Sequence, residues 1–448
     1  MQNRLMGHLF ARDVHGPTRS WWQEEAPPDD ELPPLVDDVD ADVAIVGGGF
    51  TGLWTALELK RASPTTRVVL LEGARCGDGA SGRNGGFLHG YWASLPRLVE
   101  LFGRERAVAL AQESTGVYDA VRALGEDVWL TEGGMLTVAI GPAHDAELEH
   151  AAAVAAEVGA PDEAVLIERD GLSVDSPAFR GAVFYRDAAT VQPARLVRAL
   201  RRAALAAGVR IHERTPVLGI DGSVARCDRA SVRAGEIVIA TNASAAVRWP
   251  ASRRVAVFRS AIVLTEPVPN LHERIGWEGG EAIADARTYL SYFRLTNDNR
   301  VLMGSASGDY PRAEAALRQY FPQLADVKIA SRWEGAIDVS SDRLPVVGTV
   351  AGTRVHYAAG FTGNGVGPSW LVGRTLARLA LGEDVHSPLL AGRAPALPPE
   401  PLRSFGARVV RRALLAIDDA ETTGRQTPRW ASAIRRAPEL IGLRVASR

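Results

Sequence analysis

Lysine is almost missing from this chain of 448 residues. Of its 51 basic residues only Lys60 and Lys328 are lysines, so Schiff-base chemistry on the protein has two candidates at most. Cysteine is equally scarce: Cys76 and Cys227 are the only two, which excludes a disulfide scaffold and a cysteine-rich metal site. The spacing of histidines, serines and carboxylates suggests neither a metal centre nor a nucleophilic triad. No apolar run approaches the ~18 residues of a membrane span, and the first 30 residues lack the apolar stretch of a secretory signal. Neither sign of charge prevails: the formal net charge is −2 and the pI is near 6.5, which argues against nucleic-acid binding by bulk charge. The remainder, 46% hydrophobic and 23% charged residues, is ordinary globular composition. At ~150 residues per domain the length suggests two or three domains, and the expectation is a soluble cytoplasmic protein, monomer or homodimer.

Charge does gather at the ends. Residues 1–40 hold nine acids against three arginines, a net of −6, and residues 391–448 hold eleven arginines against five acids, a net of +6. Such opposite ends are expected to dock on each other. Residues 1–38, with Pro27, Pro28, Pro33 and Pro34, read as an extended acidic arm tacked onto the body by Trp21 and Trp22. The basic tail, 391–448, contains a helical pattern over Pro401–Asp418 with Leu402, Phe405, Val409, Ala413 and Ile417 on one apolar face. Packing on its own domain is the preferred reading of that face. A partner surface and a membrane-surface helix are the alternatives.

Between the ends, four short apolar runs lead into turns: Asp42–Val46, Arg67–Leu71, Glu236–Ala240 and Val355–Ala359. Runs of this length ahead of helical patterns predict strands of a parallel α/β sheet. The helix-rich block 92–189 and the strand-rich block 256–335 interrupt them. The simplest division is therefore a discontinuous nucleotide-binding domain (39–91, 190–255 and 336–390) with a substrate domain built from its insertions (92–189 and 256–335).

The strand Asp42–Val46 runs directly into Gly47-Gly48-Gly49-Phe50-Thr51-Gly52 and then a helix, Leu53–Arg61. Gly47 makes the tight turn, Gly49 lets backbone approach a pyrophosphate, and Gly52 lets helix pack on strand. The helix N-terminus offers free N–H groups and partial positive charge. The second strand delivers Glu72, twenty residues after Gly52, where a carboxylate accepts hydrogen bonds from a ribose diol and repels a 2′-phosphate. Together these predict a dinucleotide site. The next segment decides which dinucleotide: Gly77-Asp78-Gly79-Ala80-Ser81-Gly82-Arg83-Asn84-Gly85-Gly86 has five glycines in ten residues where an NAD domain would begin its next helix. Extended glycine-rich backbone suits a long ligand lying against it.

At this point the chain resembles the FAD-dependent D-amino acid oxidase superfamily. More narrowly it resembles the γ-glutamylputrescine oxidase-like, amine-oxidising branch, whose signature is a GASGRNGG stretch after the ribose acid. The resemblance runs from about Trp21 to Arg412. It takes in the Val191–Leu196 helix opening, Val217 where the family's backbone meets the adenine, and Ala240-Thr241-Asn242. It continues through Trp333-Glu334-Gly335, the Asp342–Gly348 segment, the closing turn Gly360–Gly367 and the motif Pro398–Arg403.

The fold it implies is a glutathione-reductase-like, Rossmann-type FAD domain with an inserted α+β substrate domain. The FAD residues it implies are Gly47, Gly49, Phe50, Thr51, Gly52, Glu72, Gly73, Gly79–Gly86 (Arg83 and Asn84 included), Val217, Ala240, Thr241, Gly363, Asn364, Gly365 and Val366. The activity it implies is hydride transfer from a primary or secondary amine (an amino acid or polyamine type) to flavin N5, giving an imine that hydrolyses to an aldehyde or keto acid. Reoxidation by O2 with release of H2O2 would follow.

Tyr292, Trp333, Phe361 and His89 are the expected substrate-pocket residues. Alternation in the strand-like Thr288–Leu295 sets Tyr292 on the face opposite Tyr289 and Phe293. An aromatic cage suits an amine, and His89 is either a proton acceptor or a core histidine. Arg83 suits a carboxylate or phosphonate, or else is structural. Two departures stand out. Relatives place a lysine near the ring in the region matching Arg300–Gly304, which has none here, so a dehydrogenase passing electrons to another acceptor stays open. The closing turn also lacks the cysteine that some relatives join to the flavin, so non-covalent FAD is expected. A non-catalytic FAD-binding factor is the reading from outside the enzyme class.

Overall fold

The computed structural model describes residues 18–247, 254–390, 396–399 and 401–436. Its first sheet is built from the predicted runs. Val39–Val46 lies between Ser231–Ile239 and Val68–Leu71, parallel to both, with Ile45 opposite Val238 on one side and Leu70 on the other. Arg210–His212 and Val355–Ala359 extend the parallel order at the two sides, and Val346–Thr349 closes one edge antiparallel. Val43 to Val46 and Val68 to Leu71 are all buried, as strands covered on both faces must be.

On one face the fingerprint helix Phe50–Ala62 packs against Pro368–Ala380. The two approach so closely at Gly373 that a Cβ there would lie 2.7 Å from Trp54 Cβ. The helix expected to open at Val191 spans Pro193–Ala206, with Gln192 as its side-chain cap.

The second sheet has eight strands in the order 329–340, 255–265, 301–305, 291–295, 282–285, 135–139, 181–185, 165–168. All its pairs are antiparallel except that of 282–285 with 135–139. Phe179, Trp277, Phe293, Tyr320 and Phe321 form an aromatic core on one face, beneath helix Tyr310–Tyr320. The long strand Ile329–Ser340 begins in this sheet. Its far end reaches the closing turn of the first, through a bridge between Val339 and Phe361. The expected boundary at 335/336 falls inside this strand, which is how one element carries the wall of both halves.

The described part of the arm, residues 18–38, is a docked element rather than a tether. Ser20 caps a one-turn helix, Trp21–Glu25, and Trp22 is fully buried. Among the described residues the arm's acids pair with arginines of the body rather than with those of the basic tail, where the net charges suggested docking. Glu25 pairs with Arg195 at 2.5 Å, Asp29 with Arg202 at 2.5 Å and Glu31 with Arg214 at 2.7 Å. The tail helix, Leu402–Thr422, packs through its C-terminal half: Ala413, Leu414 and Ile417 are buried, and Asp418 accepts the N–H groups of Thr288 and Tyr289 at 2.9 and 2.8 Å. Leu402 and Phe405, expected on the buried face, are exposed, because the first turns of the helix run past the surface it packs on.

Candidate active site

The fingerprint turn is shaped by steric demand. Gly47 has φ +111°, and a Cβ on it would come within 2.5 Å of the Ala240 carbonyl oxygen, so only glycine fits between the two strand ends. Ser81, from the glycine-rich segment, accepts the Phe50 N–H at 2.9 Å, bringing that segment over the helix N-terminus. Glu72 accepts from Gly48 N–H at 2.7 Å through one oxygen and from Ala74 N–H at 2.8 Å through the other. Burial nevertheless raises its pKa above the usual carboxylate value.

A cavity of about 230 Å³ runs along these groups. It is lined by Gly47, Gly49, Phe50, Thr51, Glu72, Gly73, Gly79, Ala80, Ser81 and Asn84 on one side, and by Val217, Ala240, Thr241, Gly363, Gly365 and Val366 on the other. The Thr241 hydroxyl is buried with no hydrogen-bond partner, a cost that a polar ligand in this channel would remove. A helix N-terminus, a ribose-type acid and an unpaired hydroxyl along one extended channel fit FAD.

Gly52, Gly82 and Gly86 line neither this channel nor the larger cavity beside it. They allow close packing instead: a Cβ on Gly52 would meet Gly47 O at 2.0 Å, and one on Gly86 would meet Val191 O at 2.1 Å. Arg83 is not free for an anion. Its guanidinium donates to the carbonyls of Asp78 (2.9 Å) and Thr18 (2.6 Å), tying the arm to the flavin segment. The Asn84 side chain clasps its own loop, donating to Ala80 O and Ser81 O and accepting from Gly86 N–H.

A second cavity, of about 410 Å³, adjoins the first and shares Ala80, Asn84, Ile337, Phe361, Gly363 and Val366 with it. Three of the four expected pocket residues line it: Tyr292, Phe361 and His89. Gly85 and Asn364 line it too, and the Asn364 side-chain amide oxygen, Oδ1, is buried and unpartnered. Strand alternation does place Tyr292 opposite Phe293, which belongs to the aromatic core. The Tyr292 hydroxyl meets Ser260 Oγ at 2.9 Å, and its ring lies edge-on to Phe87. Gly304 backs the ring: a Cβ there would sit 2.0 Å from Tyr292 Cζ.

His89 Nδ1 lies 3.1 Å from Gly90 O. Burial lowers its pKa, so the ring is neutral, and a bond to a carbonyl needs the proton on Nδ1. The lone pair is then on Nε2. Trp333 is the exception. It is fully buried, lines neither cavity, stands edge-on to Trp22 and donates its N–H to Arg83 O at 2.8 Å. It holds the flavin segment from behind rather than meeting a substrate.

Several residues of this cavity carried no signal in the sequence. Asp285 and Arg287 form a buried pair on its wall, the arginine reaching Ser291 and Tyr320 as well. Arg97, Glu147 and Arg343 line it from three separate segments. Arg343 has φ +63°, a conformation that side chains seldom adopt. Asp338 lines the cofactor channel and accepts the Gly360 and Phe361 N–H groups. Burial pushes its pKa up to about 6. Neither lysine and neither cysteine lines either cavity. Among the described residues there is no metal-ligating cluster, and no helix is long and apolar enough to cross a membrane.

Residues 42–379 match the DAO family model, FAD dependent oxidoreductase. A probable oxidoreductase OrdL of Rhizobium meliloti is 31% identical over 85% of this chain and 93% of its own length. The gamma-glutamylputrescine oxidoreductase of Escherichia coli is 29% identical over 78% of this chain and 85% of its own. Among solved structures, glycine oxidase from Geobacillus kaustophilus superposes with a TM-score of 0.66 at 24% identity, covering 78% of this chain and 97% of that one. With a family match across three quarters of the sequence, ending on the turn and helix that close the cofactor channel, the chain belongs to the DAO family of FAD-dependent oxidoreductases.

Proposed function

We propose that the protein oxidises an amine or amino acid held in the 410 Å³ cavity. The observation that carries this reading is the junction of the two cavities at Asn84, Phe361, Gly363 and Val366. It brings the end of the cofactor channel to a pocket walled by Tyr292 and Phe361. Bound FAD supplies a two-electron acceptor for the hydride leaving the amine α-carbon. The turn Gly363–Gly367 and the N-terminus of helix Pro368–Ala380 would hold its pyrimidine edge, where partial positive charge favours the reduced form. With no cysteine on either cavity, the cofactor is held non-covalently.

The protein's own part is desolvation, orientation and one proton. Tyr292, with its pKa pushed up to about 12 by burial, stays a neutral phenol against the substrate. His89 Nε2 takes the proton that an ammonium must lose before its α-C–H bond can deliver hydride. The product imine hydrolyses to an aldehyde or keto acid. The names of two relatives, gamma-glutamylputrescine oxidoreductase and glycine oxidase, point to the same substrate class. The absence of lysine from both cavities favours a second reading of the oxidative half, in which an acceptor other than O2 takes the electrons. Turnover with a panel of amines, scored for aldehyde or keto acid and for H2O2, tests both. Carbonyl product with stoichiometric H2O2 supports an oxidase, product only with an added quinone supports a dehydrogenase, and no product with any amine contradicts the proposal.

A further inference from the structure

The tail helix Leu402–Thr422 lies beyond residue 379, where the family match ends, yet it braces three segments that line the substrate cavity. The first is the loop 286–290, which joins the strands Ala282–Asp285 and Ser291–Leu295 and gives Ala286, Arg287, Thr288 and Leu290 to the wall. The second follows strand Val301–Ser305: Ala306 lines the cavity, and the Arg411 guanidinium donates to the neighbouring Ser307 carbonyl at 2.6 Å. The third is helix Pro142–Glu157, which carries Glu147. Its cap Gly141 comes so close to the tail that a Cβ on it would lie 2.4 Å from Glu421 O.

The loop depends on the tail most. Its ends are tied within the sheet, since Asp285 accepts the Arg287 and Ser291 N–H groups at 3.0 and 2.9 Å. Two N–H groups between them, those of Thr288 and Tyr289, go instead to the two carboxyl oxygens of Asp418 at 2.9 and 2.8 Å. Backbone donors need acceptors, and a carboxylate is a strong one. Asp418 is fully buried, and Tyr289 packs with Ala413, Leu414 and Ile417 of the same helix.

We infer that Asp418 is a positioning residue of the substrate site: it holds the loop 286–290 in place, so that the tail helix closes the cavity on the side away from the cofactor channel. None of the braced wall residues borders that channel, so the effect is on the cavity and not on the seat of FAD. This rests on the reading of the cavity as the place where the amine binds.

The test uses the FAD-loaded enzyme. Ethylene glycol perturbs the visible band of a flavin that solvent reaches, and the size of the difference spectrum reports how open the site is. Wild type, Asp418→Asn, Arg411→Gln and Asp419→Asn are compared. Asp419 is the next residue of the same helix; it pairs with Arg312 and lines neither cavity. The Asp418→Asn amplitude should be about twice that of wild type or more, Arg411→Gln should rise less, and Asp419→Asn should not change, all at equal flavin content. For an amine that reduces the wild-type flavin, Asp418→Asn should raise the half-saturating concentration about fivefold, the worth of one hydrogen bond, and leave the limiting reduction rate unchanged. An unchanged amplitude in Asp418→Asn, an equal rise in Asp419→Asn, or a lower limiting rate at unchanged half-saturation overturns the assignment. Should Asp418→Asn not retain FAD, Arg411→Gln against Asp419→Asn decides. The expected amplitudes in a protein whose wild-type flavin no amine reduces would keep the wall and reject the amine reading.

Discussion

Asp187 offers a prediction whose size follows from the structure. It is buried on the segment joining the strands Gly181–Tyr185 and Ala188–Thr190, behind the cavity wall that carries His89. A Cβ on Gly90, the residue whose carbonyl holds His89, would lie 2.5 Å from Asp187 Oδ2. The Tyr118 hydroxyl and the N–H groups of Trp92 and Gly90 face the carboxyl, but neither of its oxygens completes a hydrogen bond. Burial therefore pushes its pKa from 3.8 up to about 7.

A carboxyl whose pKa is raised in the folded state favours folding at low pH and loses that contribution as pH rises from about 4 through 7. At about 1.4 kcal/mol per pH unit the whole interval is worth about 4 kcal/mol, of which roughly 3 falls between pH 5 and pH 8. Urea unfolding of wild type and Asp187→Asn at these two pH values isolates the contribution, because every other titrating group is common to both. The wild type should lose about 3 kcal/mol more than the variant on going from pH 5 to pH 8. Parallel pH dependence in the two proteins would refute the assignment of a buried, protonated Asp187.

Three further outcomes are expected. Gly49→Val brings a side chain where even a Cβ lies 2.8 Å from Ser81 Oγ. It should yield protein without FAD, read from the ratio of visible to ultraviolet absorbance. Gly304→Ala must displace the Tyr292 ring, at about 1–3 kcal/mol for overpacking; slower flavin reduction with FAD retained is expected, whereas an unchanged rate would mean that Tyr292 does not shape the pocket. Trp22→Ala removes a buried side chain whose N–H meets Asn84 O at 2.9 Å. It should cost about 3–5 kcal/mol and loosen flavin binding, seen as FAD release at lower temperature.

The legible part of the sequence was local. The turn Gly47–Gly52 and the acid Glu72 lie within one βαβ unit, where fixed spacing reports fixed geometry. Alternation within a single strand sufficed to face Tyr292 and Phe293 oppositely. The illegible part depended on partners far along the chain. Trp333 looks like a pocket aromatic until its N–H is seen on Arg83 O, 250 residues away. The arm's net charge of −6 matched the tail's +6, yet the partners of its described acids lie in the helix Pro193–Ala206 and the turn after the strand Arg210–His212, whose arginines are diluted within a balanced region. Arg97 could not be picked from 49 arginines, because what sets it apart is that two of its donors are buried and unmet. The tail helix shows the limit of periodicity, since an apolar face is buried only as far as the body extends beneath it.

In the proposed function the two cavities meet so that an amine in one would reduce the cofactor in the other. Anaerobic mixing of the FAD-loaded protein with amines, followed at the flavin absorbance, tests this most directly. Bleaching that saturates with amine concentration, and that slows as pH falls through the His89 pKa, is the predicted result. A protein that binds FAD in the channel yet is not reduced by any amine at any pH would contradict it.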